Sequence, residues 1–171
     1  GDALAYTVYV SNEKGNSITV IDSDTLEVKE TIRVGQRPRG IMLTKDGKSL
    51  LVCASDDDTV QVLDVATNKI VGDLPSGPDP EQLNIHPSGN PVYIANEDDN
   101  LVTVIDLYTR EVLAEVPVGV EPEGIGISPS FARRLARCRS MRDSTVSRLS
   151  GASEPYRGSM LKVNCSSNTC F

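Results

Sequence analysis

Val8-Tyr9-Val10-Ser11-Asn12, Leu50-Leu51-Val52-Cys53-Ala54 and Val92-Tyr93-Ile94-Ala95-Asn96 stand 42 residues apart, and that spacing decides the fold. Laid over one another, residues 8–49, 50–91 and 92–130 align without a gap. A fixed period in this range is the mark of solenoids and propellers. A second apolar stretch repeats in the same register: Ile18-Thr19-Val20-Ile21-Asp22, Val60-Gln61-Val62-Leu63-Asp64 and Val102-Thr103-Val104-Ile105-Asp106. Each copy therefore opens with two strands. Asp22, Asp64 and Asp106 precede Thr25, Thr67 and Thr109 by three residues, the chemistry of a tight turn closed by carboxylate and hydroxyl.

A third strand runs through Ile32, Leu74 or Val116 and halts before Gly35, Gly77 or Gly119, where the pattern predicts backbone angles that other residues avoid. The fourth begins after Pro38, Pro80 or Pro122 and alternates Ile41/Leu43, Leu83/Ile85 and Ile125/Ile127, the period of a strand with one buried face. Lys45-Asp46-Gly47-Lys48 and Pro87-Ser88-Gly89-Asn90 supply hairpin turns. Four short strands per repeat are the anatomy of a propeller blade. The predicted fold is all-β: an incomplete β-propeller of three four-stranded antiparallel blades (8–49, 50–91, 92–130), then an irregular or partly helical tail over 131–171. No stretch of the body carries helical periodicity between capping signals.

Charge divides the chain in the same place. Residues 1–130 carry 9 Lys and Arg against 22 Asp and Glu, whereas 131–171 carry 8 against 2. An acidic body repels phosphate backbones and anionic lipid, so nucleic acid and membrane insertion are excluded as partners and neutral or basic ones expected. The tail holds seven arginines, one lysine and eight serines, a composition that resembles an out-of-frame reading of a GC-rich gene. A disordered extension or a basic amphipathic helix built on Phe131, Leu135, Cys138 and Met141 or Arg142 are the alternatives. Ala3-Leu4-Ala5 has the small-x-small form of a signal-peptidase site, so residues 1–7 are read as a signal-peptide remnant and the chain as periplasmic or secreted.

The Val-Tyr-Val-Ser-Asn phrase at 8–12 and its echo at 92–96, with the Val-Ile-Asp-x-x-Thr and Val-Gly-x-x-Pro-x-Gly elements, resemble the YVTN-repeat family of β-propellers. Within it, the similarity is greatest to bacterial propellers that accompany pyrroloquinoline-quinone-dependent alcohol oxidation. The resemblance implies an exported protein with no catalytic group of its own. It also implies about seven blades in a closed ring, where three leave open blade faces through which the chain is expected to associate with itself or with further blades. The expected role is a non-catalytic binding or scaffold module with a protein or small-molecule partner. The alternatives are a fragment of a lactonase- or quinoprotein-type propeller enzyme whose site lies in other blades, and a repeat-built cell-surface structural protein.

Reactive groups are sparse. His86 is the only histidine, and Thr44 and Ser128 stand in its place in the other repeats, so it reads as a strand-end polar residue. Cys53 aligns with Ser11 and Ala95 as a small residue in a buried strand, and Cys138, Cys165 and Cys170 lack zinc-ligand spacing. The acidic loops at Glu13, Asp56-Asp57-Asp58 and Glu97-Asp98-Asp99 lack the alternating pattern of a calcium loop and are read as solvated hairpins. No catalytic residue, cofactor or metal is predicted. The candidate surface is the segment leading into the fourth strand, which propellers turn towards a central channel. There the proline repeats while its neighbours differ: Arg37 and Arg39, Glu81 and Gln82, Glu121 and Glu123.

Overall fold

The computed structural model describes residues 6–128. The expectations for the N-terminal triplet and for the 131–171 tail fall outside them. Among the described residues eleven strands form three antiparallel sheets, one of three strands and two of four. The first sheet is β1 (Thr7–Asn12), β2 (Ser17–Asp22) and β3 (Val28–Arg33). The second is β4 (Pro38–Leu43), β5 (Ser49–Ala54), β6 (Thr59–Asp64) and β7 (Lys69–Pro75). The third is β8 (Pro80–Ile85), β9 (Val92–Asn96), β10 (Leu101–Ile105) and β11 (Val112–Pro117). Each is an up-and-down meander, and the helical content of the described residues is two three-residue 3₁₀ turns, Glu13–Gly15 and Ser55–Asp57.

The sheets are phased one strand away from the repeat as the sequence aligns it. The strand after Pro38 pairs with Ser49–Ala54 and opens the second sheet, and the strand after Pro80 likewise opens the third. A repeat thus donates its last strand to its neighbour's sheet. The symmetry extends to a defect: register shifts fall at Val20/Ile21, Val62/Leu63 and Val104/Ile105, so each repeat carries a β-bulge at one place.

The apolar core fills the spaces between sheets. Leu50, Val52 and Leu63 pack with Ile18, Val20 and Ile32 of the first sheet, while Leu51, Cys53, Val60 and Leu74 pack with Leu83, Val92, Ile94 and Ile105 of the third. The central sheet is covered on both faces, which is why β5 is an unbroken apolar run rather than an alternating one. The outer strand β11 is exposed throughout, and Val112, Leu113 and Val116 lie open on it.

The turns follow the predicted chemistry. Asp22 Oδ1 accepts the amides of Asp24 and Thr25, Asp64 Oδ1 accepts the amide and hydroxyl of Thr67, and Asp106 Oδ1 accepts the amides of Tyr108 and Thr109. The backbone angles expected at Gly35, Gly77 and Gly119 are not found. Gly35 and Gly77 do not have positive φ; they are small because the neighbouring sheet is close. A Cβ on Gly35 would stand 2.7 Å from the Ala54 Cβ, and one on Gly77 would stand 2.7 Å from Asn96 Nδ2.

Candidate functional site

The segments leading into β4 and β8 are built by one device. Arg37, Asp79 and Glu121, equivalent in the repeat, all take positive φ (51°, 50° and 53°). Their amides donate to Asn16 Oδ1, Asp58 Oδ1 and Asn100 Oδ1 at 2.9, 3.0 and 2.9 Å, and those three acceptors are themselves in the left-handed region. Asn and Asp tolerate that conformation and carry the side-chain acceptor it needs. The hairpin turn between β1 and β2, or between β5 and β6, thus orients the start of the next inner strand.

β4 packs against β8. A Cβ on Gly40 would come within 2.6 Å of the Glu81 carbonyl oxygen and 2.8 Å of Gln82 Cα, so glycine allows the two backbones to touch. This approach presents Glu81 to the two arginines of the preceding segment. Arg37 Nη2 meets Glu81 Oε1 at 3.1 Å and Arg39 Nε pairs with Glu81 Oε2, while Arg37 Nη1 also reaches Asp79 Oδ2 at 3.2 Å and Asp56 Oδ1 at 3.1 Å. Glu13 lies 3.5 Å from Arg37 Nε. The Glu81 side chain is only 3% exposed, while both arginines keep over a quarter of theirs in solvent. On one side of this network, Arg39, Glu81, Gln82 and Glu123 line a cavity of about 330 Å³.

Four of the six sequence-predicted residues thus surround one cavity, and Arg37 grips the far oxygen of Glu81. Glu121 is exposed in the matching turn of the third repeat, outside the lining. Sequence reasoning missed Glu13, Asp56 and Glu97, whose loops were read as solvated hairpins, and did not single out Asp79 within the candidate segment. The missed signal was their equivalence: Glu13, Ser55-Asp56 and Glu97 follow β1, β5 and β9, at the end where the next inner segment begins.

Asp79, Glu81 and Glu97 bring carboxylate oxygens within 4.8 Å of one another, a spacing a metal ion can use. In this arrangement Arg37 already contacts Asp79 and Glu81, so a side-chain cation supplies the counter-charge. Burial pushes the Glu81 carboxyl up to about 7; the hydrogen bond it shares with Glu97 adds to the rise, and Arg39 opposes it. The folded chain therefore holds a proton at Glu81 that an unfolded chain releases near the ordinary carboxylate value. Its stabilising contribution is complete below that ordinary value and is lost as pH rises through about 7. The urea midpoint is expected to fall between pH 5 and pH 8, and Glu81→Gln to flatten that fall.

Other candidates have structural roles. His86 Nδ1 lies 2.7 Å from Ser88 Oγ and accepts the Ser88 amide, closing its own turn. Cys53 is fully buried, and burial pushes its thiol far above the range where thiolate chemistry operates.

Comparison with known proteins agrees with the architecture. Residues 2–86 match the family described as YNCE-like beta-propeller. Hydrazine synthase of Kuenenia stuttgartiensis is 29% identical, with a TM-score of 0.67 over 72% of this chain and 36% of that one. A functionally unknown protein of Desulfotomaculum acetoxidans is 20% identical with a TM-score of 0.57, covering 66% of this chain and 38% of that one. The dihydro-heme d1 dehydrogenase NirN is 18% identical with a TM-score of 0.57, covering 66% of this chain and 24% of that one. This chain therefore spans under two fifths of the length of each of these structures. No curated protein is similar enough to count as a relative. No helix among the described residues is long and apolar enough to cross a membrane. With their repeated meanders, their inner strands in contact and these neighbours, the described residues are built as β-propeller blades.

Proposed function

We propose that these blades form a non-catalytic binding or scaffold module of an exported protein, and that the partner docks where the inner strands begin. The observation that carries this reading is the cavity bounded by Arg39, Glu81, Gln82 and Glu123. Glu81 is in contact with two arginines, whereas Glu123 makes no ion pair among the described residues. An unpaired carboxylate beside amide and guanidinium donors suits a partner that brings a basic or hydrogen-bonding group, and the acidic body attracts such a partner over distance. The exposed apolar residues Val8 and Val10 on β1 and Val112 and Val116 on β11 suit contact with further blades or with a second copy. The resemblance to propellers that accompany quinone-dependent alcohol oxidation extends this reading to an accessory role beside such an enzyme.

A second reading draws on the names of two neighbours, a hydrazine synthase and a dihydro-heme d1 dehydrogenase: the blades would belong to a larger redox enzyme and help frame its cofactor. A photo-crosslinking side chain at position 123, introduced in the producing cell, separates the outcomes, with the exposed position 73 on β7, the outer strand of the second sheet, as the control. A protein crosslinked from 123 and not from 73 is the expected result. Equal capture from both positions, or capture from neither, would count against a partner surface at the inner strands.

A further inference from the structure

A second cleft, of about 540 Å³, lies between the second and third sheets, away from the ionic network. Val62, Val71, Leu74 and Leu107 supply its apolar lining, and Lys45, Tyr108 and Arg110 stand with them as polar and aromatic groups, beside Asp46, whose Oδ1 is taken up by the Thr44 hydroxyl and the Lys48 amide. Tyr108 is largely exposed although it borders the cleft. Lys45 Nζ donates to the Pro87 carbonyl at 2.8 Å, a neutral partner that leaves the ammonium two further protons. Among the described residues the arginine ion pairs belong to Arg37 and Arg39, and Arg110 has no carboxylate partner.

The repeat supplies an internal control. In the gap between the first and second sheets, Asn68 stands in the place of Arg110, Ala66 in that of Tyr108 and Glu30 in that of Gly72. There Asn68 Nδ2 donates to Glu30 Oε2 at 2.8 Å and ties the two sheets together. In the second gap that tie is absent and the chemistry is changed on both sides. Gly72 removes the acid, and its missing side chain makes room for the guanidinium, since a Cβ there would lie 2.6 Å from Arg110 Nη1. The same scaffold position thus holds a hydrogen-bonded polar pair in one gap and a cation without a carboxylate partner over a largely apolar cleft in the other.

We propose that this cleft binds a small organic acid, its carboxylate held by Arg110 and Lys45 and its apolar or aromatic body laid on Val62, Leu74 and Leu107. A planar guanidinium takes a carboxylate through two parallel hydrogen bonds, and a few convergent polar groups over an apolar floor are the usual composition of a ligand site. Tyr108 gives the open side an aromatic face. The site does not depend on the role of the inner strands.

Phenylacetate is the probe, titrated into the full-length chain and followed by amide chemical shifts. Saturable shifts confined to the cleft are expected, with benzyl alcohol and acetate each binding about tenfold or more weakly because one lacks the charge and the other the apolar body. Gly72→Glu and Arg110→Asn place the first gap's residues in the second, and each is expected to weaken phenylacetate by about tenfold while preserving the dispersed spectrum. No saturable binding, equal affinity for benzyl alcohol, or unchanged affinity in both variants would overturn the proposal. Tighter binding of phenyl phosphate would overturn the carboxylate assignment.

Discussion

Gly40→Ala is expected to lower the stability of the chain by about 3 kcal/mol in urea unfolding, the upper end of what an overpacked site costs. The new methyl group would meet backbone on β8, with the Glu81 carbonyl oxygen at 2.6 Å and Gln82 Cα at 2.8 Å, and backbone cannot rotate away as a side-chain tip can. Relief requires β4 and β8 to separate, which also withdraws Arg37 and Arg39 from Glu81. The variant should therefore lose the pH dependence attributed to Glu81 together with its stability. Gly47→Ala is the comparison. Gly47 has φ of +70° with nothing within 4 Å of a Cβ, so that substitution is expected to cost about 1 kcal/mol through backbone strain alone and to keep the pH response.

Arg37→Ala is expected to cost about 3 kcal/mol at pH 7.5 and distinctly less at pH 5. One guanidinium faces Asp56, Asp79, Glu81 and Glu13, and its removal leaves those acids turned towards one another with Glu81 out of water. Removing one partner from a buried ionic network typically costs about 3–5 kcal/mol, and the solvent contact of Arg37 places this case at the lower end. Protons can replace the lost cation, and Glu81 already holds its proton up to about 7, so acid lessens the damage. Thermal or urea midpoints of parent and variant at the two pH values provide the check. An equal loss at both would mean that Arg37 acts through packing rather than charge.

Eleven strands, the turns and the period were legible because each rests on local chemistry repeated in register, whereas the strand expected through Ile125 and Ile127 is not formed, since no strand among the described residues pairs with it. The Val-Tyr-Val phrases gave strands, and the Asp and Thr of each turn bond as their spacing implies. The grouping of strands into sheets was not legible. A repeat aligned to itself carries no mark of where one sheet ends, and the strand after Pro38 belongs with residues that follow it. The glycines misled for a related reason. At Gly35 and Gly77 what matters is a neighbour far along the chain, and local conformational preference is silent about that.

The candidate surface was half visible. Arg37, Arg39, Glu81, Gln82 and Glu123 stood out because charge varied beside a repeating proline, and the structure gathers them round one ion pair and one cavity. Their partners Asp56 and Glu97 did not stand out, since acid in a short turn has the same composition whether it meets water or an arginine. The cleft beside Arg110 was hidden for the opposite reason. Gly72 is informative only when set against Glu30 and Asn68 across a sheet gap, a pairing found in three dimensions.

The meeting of the inner strands β4 and β8 both makes the blades neighbours and assembles the ionic site. A nuclear Overhauser spectrum of the full chain tests it at one point, the Hα protons of Gly40 and Gln82. A strong cross-peak between them is the predicted result. Its absence, in a spectrum that shows the cross-strand contacts within each sheet, would mean that the sheets form without converging, and the site at Glu81 would have no basis.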